Sequence, residues 1–233
     1  MITTIGFDAD DTLWHNETIF AATHGRLCEL LSHYHDAAQV DATLNATEHR
    51  NLARYGYGIK SFTLSAIETA IELSAGQISA DEIRGIIELA HEMLDHPVEM
   101  LEGVPETVAT LAAHGAYRLL VITKGDLRDQ SRKYALSALD PHFADFEVVT
   151  EKDPATYRRL LARHRIAPDE FLMVGNSIKS DILPVLDVGA HAAHVPYHLT
   201  WVLDRTERVP EGPRFHPLRS MGDLPDLLAQ LNK

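Results

Sequence analysis

The sequence has one cysteine, Cys28, among 233 residues, so no disulfide can form within the chain and the fold must be held by its core. It is also poor in basic residues, with 21 Lys and Arg against 34 Asp and Glu and a formal net charge of −13. That average field repels polyanions, which disfavours a nucleic-acid surface, and any anionic ligand must be met by locally placed cations or a metal. Long apolar runs are missing as well: no stretch approaches the ~20 residues that span a bilayer, and no basic segment leads an apolar one at the N-terminus. These absences predict a soluble, cytoplasmic protein without a membrane or nucleic-acid partner. No repeat or low-complexity tract is present, and 45% hydrophobic residues over this length suit one large domain, or one domain carrying an insert.

What is there alternates. Residues 1–7 form a short, β-branched apolar run that ends in acids, as a buried strand delivering its end to a site would. From about 18 to 97 the spacing turns helical, with Ile19, Leu27, Leu30 and Leu31, then Ile67, Ile71 and Leu73, then Ile83, Ile86, Ile87, Leu89 and Leu94. After Pro97 strands and helices alternate: strands are expected at 117–123, 146–150, 171–175 and 193–196, with helices at 127–138, 154–164 and 180–188. A Pro-rich surface loop at 206–217 should lead to a short last strand and the helix LPDLLAQL. The pattern predicts an α/β fold, a Rossmann-like parallel sheet built from residues 1–14 and 99–233, interrupted by an all-helical insert at 15–98.

In such sheets ligands bind outside the carboxyl ends of the strands. The first strand ends in Asp8-Ala9-Asp10-Asp11-Thr12, the second in Thr123-Lys124-Gly125, the third in Thr150-Glu151-Lys152, and the fourth in Gly175-Asn176-Ser177 with Asp181 beyond. Acids, a hydroxyl, a lysine, then an amide and an acid make a phosphoryl-transfer set. One carboxylate can be a nucleophile and a second a general acid and base, while a lysine and a hydroxyl hold phosphoryl oxygens and a hard cation such as Mg²⁺ offsets the negative charge.

DADDT resembles the DxDx[TV] signature of the haloacid dehalogenase-like (HAD) hydrolases; Thr123 with Lys124-Gly125 resembles their second motif, Lys152 their third and GNSIKSD their fourth. The resemblance covers the whole core, and an insert after the first motif is where this family carries a helical cap. It implies that Asp8 attacks phosphorus to give an aspartyl-phosphate, that Asp10 protonates the leaving oxygen and then activates water, that Thr123 bonds a phosphoryl oxygen and that Lys152 pairs with Asp8. It further implies a Mg²⁺ on the Asp8 carboxylate, the Asp10 backbone carbonyl and a side chain of the fourth motif, Asn176 or Asp181, and backbone donors from Ala9. Asp10 favours the phosphatase branch, since dehalogenases lack that second acid.

Three features depart from the family pattern. Asp11 stands where Gly is common and is read as a loop residue without chemistry of its own. In EKDP the lysine lies two residues before the proline rather than three, which would align Glu151 with the family lysine; Lys152 is retained because a glutamate beside the nucleophile would oppose phosphate binding. Asn176 replaces the usual aspartate and brings no charge, which makes Asp181 the expected anionic ligand, direct or through water.

In the insert, the loop RYGYGIKS (54–61) has the glycines to close over a site and the side chains of Tyr57 and Lys60 to meet a substrate. The 14 histidines show no ligand spacing: His191 and His194 fall on opposite faces of a strand, and His33 and His35 are not helical neighbours. The expectation is a Mg²⁺-dependent phosphatase acting on a small phosphorylated metabolite, as a monomer or homodimer. The rivals are a haloacid dehalogenase and a non-enzymatic phosphate- or partner-binding module.

Overall fold

A computed structural model describes all residues, 1–233, and divides them into two compact units, one of residues 1–16, 98–124 and 130–233 and one of residues 17–97 and 125–129.

The first unit is built on six parallel strands in the order β3-β2-β1-β4-β5-β6. They are β1 (Thr4–Phe7), β2 (Arg118–Lys124), β3 (Asp145–Val149), β4 (Phe171–Gly175), β5 (His191–His194) and β6 (Phe215–Pro217). β1 lies at the centre, with Phe7 level with Val121 of β2 and Val174 of β4. Every residue of β1 and β4 is buried, as continuous apolar strands covered on both faces must be. One core gathers Ile5, Phe7, Leu13, Trp14, Val104, Val108, Leu119, Val121, Leu172 and Val174; another gathers Leu120, Ile122, Tyr157, Leu160, Met173 and Val185. The two chain segments that leave and re-enter this unit pair with each other, His15 N–H donating to Glu99 C=O and Leu101 N–H to Leu13 C=O.

The fifth strand lies two residues upstream of the expected 193–196. Ala192 and Ala193 are fully buried on it, whereas Pro196 has no N–H to give a ladder. The expected helix at 180–188 is a wide π-helical turn, Ile178–Ile182, running into a short helix at Leu183–Asp187. Pro184 explains the break, because it cannot donate to the carbonyl four residues back, that of Ser180. The Tyr157 hydroxyl bonds that carbonyl instead, at 3.1 Å.

The second unit is helical: α1 (Glu17–Leu30), α2 (Ala37–Tyr55), α3 (Ile59–Leu73) and α4 (Ala80–Asp95). Asp36 caps α2 through the Gln39 N–H, and Ser79 with Glu82 forms a capping box on α4. Leu27, Leu31, Val40, Leu44, Phe62, Ala66, Ile86, Leu89 and Met93 form its core. Ile71 and Ile87, which share the apolar spacing in the sequence, are exposed.

Candidate active site

β1 ends at Phe7, but Asp8 still donates its N–H to the Val174 carbonyl at 2.9 Å, so the ladder to β4 runs one residue past the strand. The chain then folds back: the N–H of Leu13 reaches the Ala9 carbonyl at 2.7 Å, and Asp11 turns the corner in the left-handed region, at φ 60°. Glycine adopts that conformation without a Cβ penalty, whereas Asp11 bears one. Asp11 adds local support, its carboxylate accepting the Asn16 N–H at 2.8 Å.

Asp8 is buried, and the Lys152 ammonium donates to its Oδ1. The same ammonium donates to Asp181 Oδ1 at 2.6 Å, and both Lys152 and Asp181 have side chains 1% exposed. The lysine, with its irregular spacing to Pro154, thus sits beside Asp8, while the Glu151 carboxylate accepts the Lys152 backbone N–H at 3.0 Å. One ammonium shared by two carboxylates under-compensates them. Burial first, then the charge of Asp181, push the Asp8 carboxyl up to about 7 against the pull of Lys152. Burial alone would lower Lys152, but Asp181 and Asp8 outweigh it and hold the ammonium above its ordinary value.

Asp181 has its other oxygen, Oδ2, on the Ser177 N–H at 3.0 Å. Both of its oxygens are therefore engaged by the protein. Gly175 admits it: a Cβ on that residue would lie inside the Asp181 carboxylate. Asn176 is placed differently. Its Oδ1 and Asp8 Oδ2 lie 3.1 and 3.2 Å from the Thr12 hydroxyl, which also accepts the Asn176 N–H at 3.1 Å. This oxygen-only set suits a hard divalent cation, and a second positive charge there would bring the raised Asp8 carboxyl down. The donors fit Mg²⁺, with Asp8 and Asn176 in the lead.

Asp10 faces another set of partners. Its Oδ1 accepts from Trp14 Nε1 at 2.7 Å and from Lys133 Nζ at 2.6 Å, and its Oδ2 accepts from Gln130 Nε2 at 2.7 Å. Lys133 is nearly buried and also donates to Asn16 Oδ1 at 3.1 Å. A carboxylate accepts all three donors, whereas a neutral acid would have to give one up. Gln130 and Lys133 lie on the helix Leu127–Leu136 and were not singled out from the sequence, where a polar helix face reads as solvated.

Thr123, next to last in β2, is 1% exposed, its hydroxyl 3.5 Å from the Lys124 carbonyl. Lys124, expected to meet a substrate, has its ammonium on Asp204 Oδ1 at 2.9 Å and on the Ser180 hydroxyl at 2.8 Å. Burial pushes Asp204 up, but Lys124, Ser177 and Ser180 together hold it below the usual carboxylate range. Tyr57 and Lys60 belong to the helical unit, where Lys60 pairs with Asp126 at 2.9 Å. Ala9 is fully buried behind the turn.

No curated protein matches the chain. A crystal structure of a haloacid dehalogenase-like family hydrolase from Xanthomonas campestris is 40% identical, covers 99% of this chain and 91% of its own, and superposes with a TM-score of 0.88. More distant structures share the fold. The HAD hydrolase YfnB of Bacillus subtilis, bound to magnesium, is 18% identical with a TM-score of 0.66, over 97% of this chain and 98% of its own. A 2-haloacid dehalogenase of Pseudomonas syringae pv. tomato is 22% identical with a TM-score of 0.63, over 99% of both. The family description haloacid dehalogenase-like hydrolase matches residues 2–189, and with the carboxylate–lysine arrangement at the end of β1 this chain belongs to the haloacid dehalogenase-like hydrolases.

Proposed function

We propose that this hydrolase is a phosphatase that cleaves a small phosphomonoester through an aspartyl-phosphate on Asp8, with Mg²⁺ as cofactor. The observation that carries the reading is the split environment of two carboxylates two residues apart: Asp8 is buried against Lys152, and Asp10 is a quarter exposed among Trp14, Gln130 and Lys133. Carboxyl groups kept in different surroundings can take different roles.

In this reading the ionised Asp8 oxygen attacks phosphorus while Lys152 keeps its charge beside the nucleophile. Asp10 enters this step protonated, with one of its three donors released, and gives that proton to the leaving oxygen. It then takes a proton from water in the second step, a role its present hydrogen bonds already suit. Thr123 and backbone N–H groups after Asp8 would bind phosphoryl oxygens. Asp8, Asn176 and the Asp10 carbonyl would hold Mg²⁺, which supplies positive charge against the phosphoryl oxygens and the nucleophile. Tyr57 and Lys60 are proposed as cap residues that meet the substrate.

Hydrolysis of p-nitrophenyl phosphate, with and without Mg²⁺, tests the reading. Metal-dependent turnover that disappears in Asp8→Asn and falls sharply in Asp10→Asn is expected. Turnover that survives Asp8→Asn, or halide release from 2-chloropropionate in place of phosphate release, would overturn it. At low Mg²⁺ the rate should climb as pH approaches about 7, where the metal-free Asp8 carboxyl ionises, and raising the Mg²⁺ concentration should move that climb to lower pH.

A further inference from the structure

We propose that His24, Cys28 and Asp41, in the helical unit, form a binding site for a transition-metal ion of the Zn²⁺ class.

His24 and Cys28 are four residues apart on α1, which puts them on one face of that helix, and Asp41 meets them from the second turn of α2. His24 Nε2 lies 2.9 Å from Asp41 Oδ1, and the Cys28 thiol donates to the same oxygen at 3.2 Å. The three ligand atoms fall within 4.8 Å of one another. Around a tetrahedral Zn²⁺, with bonds of about 2.0–2.3 Å, donor atoms stand roughly 3.3–3.7 Å apart, so small rotations of these side chains suffice.

A second observation points the same way. His24 Nε2 is shielded from water yet makes no directed hydrogen bond, although Asp41 is within reach. The nitrogen and the carboxylate oxygen are near each other without being aimed at each other, as donors that share a common focus would be.

The donor chemistry separates this place from the Asp8 cluster. One sulfur, one imidazole nitrogen and one carboxylate oxygen suit Zn²⁺ or Co²⁺, whereas an oxygen-only set suits Mg²⁺. Thiolate and carboxylate together neutralise a divalent ion. Sulfur binds such an ion as thiolate, so binding expels one proton from Cys28 and takes His24 in its neutral form with Nε2 as acceptor. Three protein ligands leave a fourth position for water or an outside ligand.

Co²⁺ titration of chelator-treated protein tests the site, because a sulfur-to-cobalt charge-transfer band can arise only at Cys28, the single cysteine of the chain. A band that saturates at one Co²⁺ per chain, is displaced by Zn²⁺ and persists in excess Mg²⁺ is expected. His24→Gln and Asp41→Asn should each weaken binding by at least about tenfold, and Cys28→Ser should abolish the band while circular dichroism remains that of the folded protein. No band in the wild-type protein at equimolar Co²⁺ would overturn the proposal without any variant. So would a band whose affinity is the same in His24→Gln and Asp41→Asn, since that is capture by a thiol alone. Phosphatase turnover plays no part in the readout, so the outcome stands apart from the fate of the Asp8 reading.

Discussion

Two lysine–carboxylate pairs flank one turn of chain, and they are built in opposite ways. Lys152 reaches Asp8 and Asp181 in a space closed to water, so one ammonium serves two carboxylates and a deficit of positive charge remains. Lys133 reaches Asp10 at a quarter-exposed place where two neutral donors already support the same carboxylate. The first pair holds an uncompensated negative charge at the end of β1, where the phosphatase reading puts the attack. The second satisfies its carboxylate and holds it in place. A buried charge set and a half-wet one respond differently to mutation, since an uncompensated charge costs far more without water.

The sharpest break of that comparison is Asp8→Asn. In the phosphatase reading it lowers kcat by at least about 10³-fold, yet the same change should stabilise the metal-free protein at pH 8. The folded-state carboxyl is raised from 3.8 to about 7, so the stability it contributes is fully present below pH 3.8 and is lost as pH rises through about 7. Asparagine removes that loss. Thermal melts should show a higher Tm for the variant at pH 8, by ~2–6 °C, and no gain near pH 4.

Lys152→Met acts on the other partner and should do the reverse. It leaves Asp8 and Asp181 buried without a counter-charge, costing about 3–5 kcal/mol in urea unfolding at pH 8, and the cost should shrink as pH falls and Asp8 takes up a proton. Lys133→Met should be milder. Trp14 and Gln130 still hold Asp10, so kcat falls by about 10- to 100-fold with KM nearly unchanged, provided Asp10 is the proton shuttle. Equal loss in Lys133→Met and Asp10→Asn would make the lysine indispensable and erase the contrast.

The smallest effect is expected away from both pairs. His216 stacks on His191 at 5.4 Å, and burial, then His191, depress it to about 4. A depressed base contributes stability that is present above pH 6.5 and is lost as pH falls through about 4. His216→Phe should therefore flatten the acid-side decline in Tm between pH 6 and 4 without altering turnover.

The sheet was legible in the sequence because buried parallel strands are short apolar runs ending in polar residues, and the fourth, 171–175, coincides with the observed β4. The fifth was displaced because HAAHVP contains two apolar pairs, Ala192-Ala193 and Val195-Pro196, and which pair enters the sheet is settled by Pro196 and by neighbours far along the chain. Lys152 could be found despite its spacing, since charge complementarity with Asp8 decides between adjacent residues where counting does not. Gln130 and Lys133 could not. Their role depends on a helix face turned toward Asp10, 120 residues earlier in the chain, and nothing local separates that face from a wet one. His24, Cys28 and Asp41 escaped notice for a related reason, the third donor being on another helix.

Gly175 has a consequence for how the family can vary. The Asp181 carboxylate occupies the volume where any side chain at 175 would begin, and Asp181 in turn raises the pKa of Asp8 and anchors the shared lysine. A single hydrogen atom on that α-carbon is therefore part of the tuning of Asp8. Replacing it with a methyl group, the least change the genetic code allows in size, would displace Asp181 and so retune Asp8 without altering either charged residue.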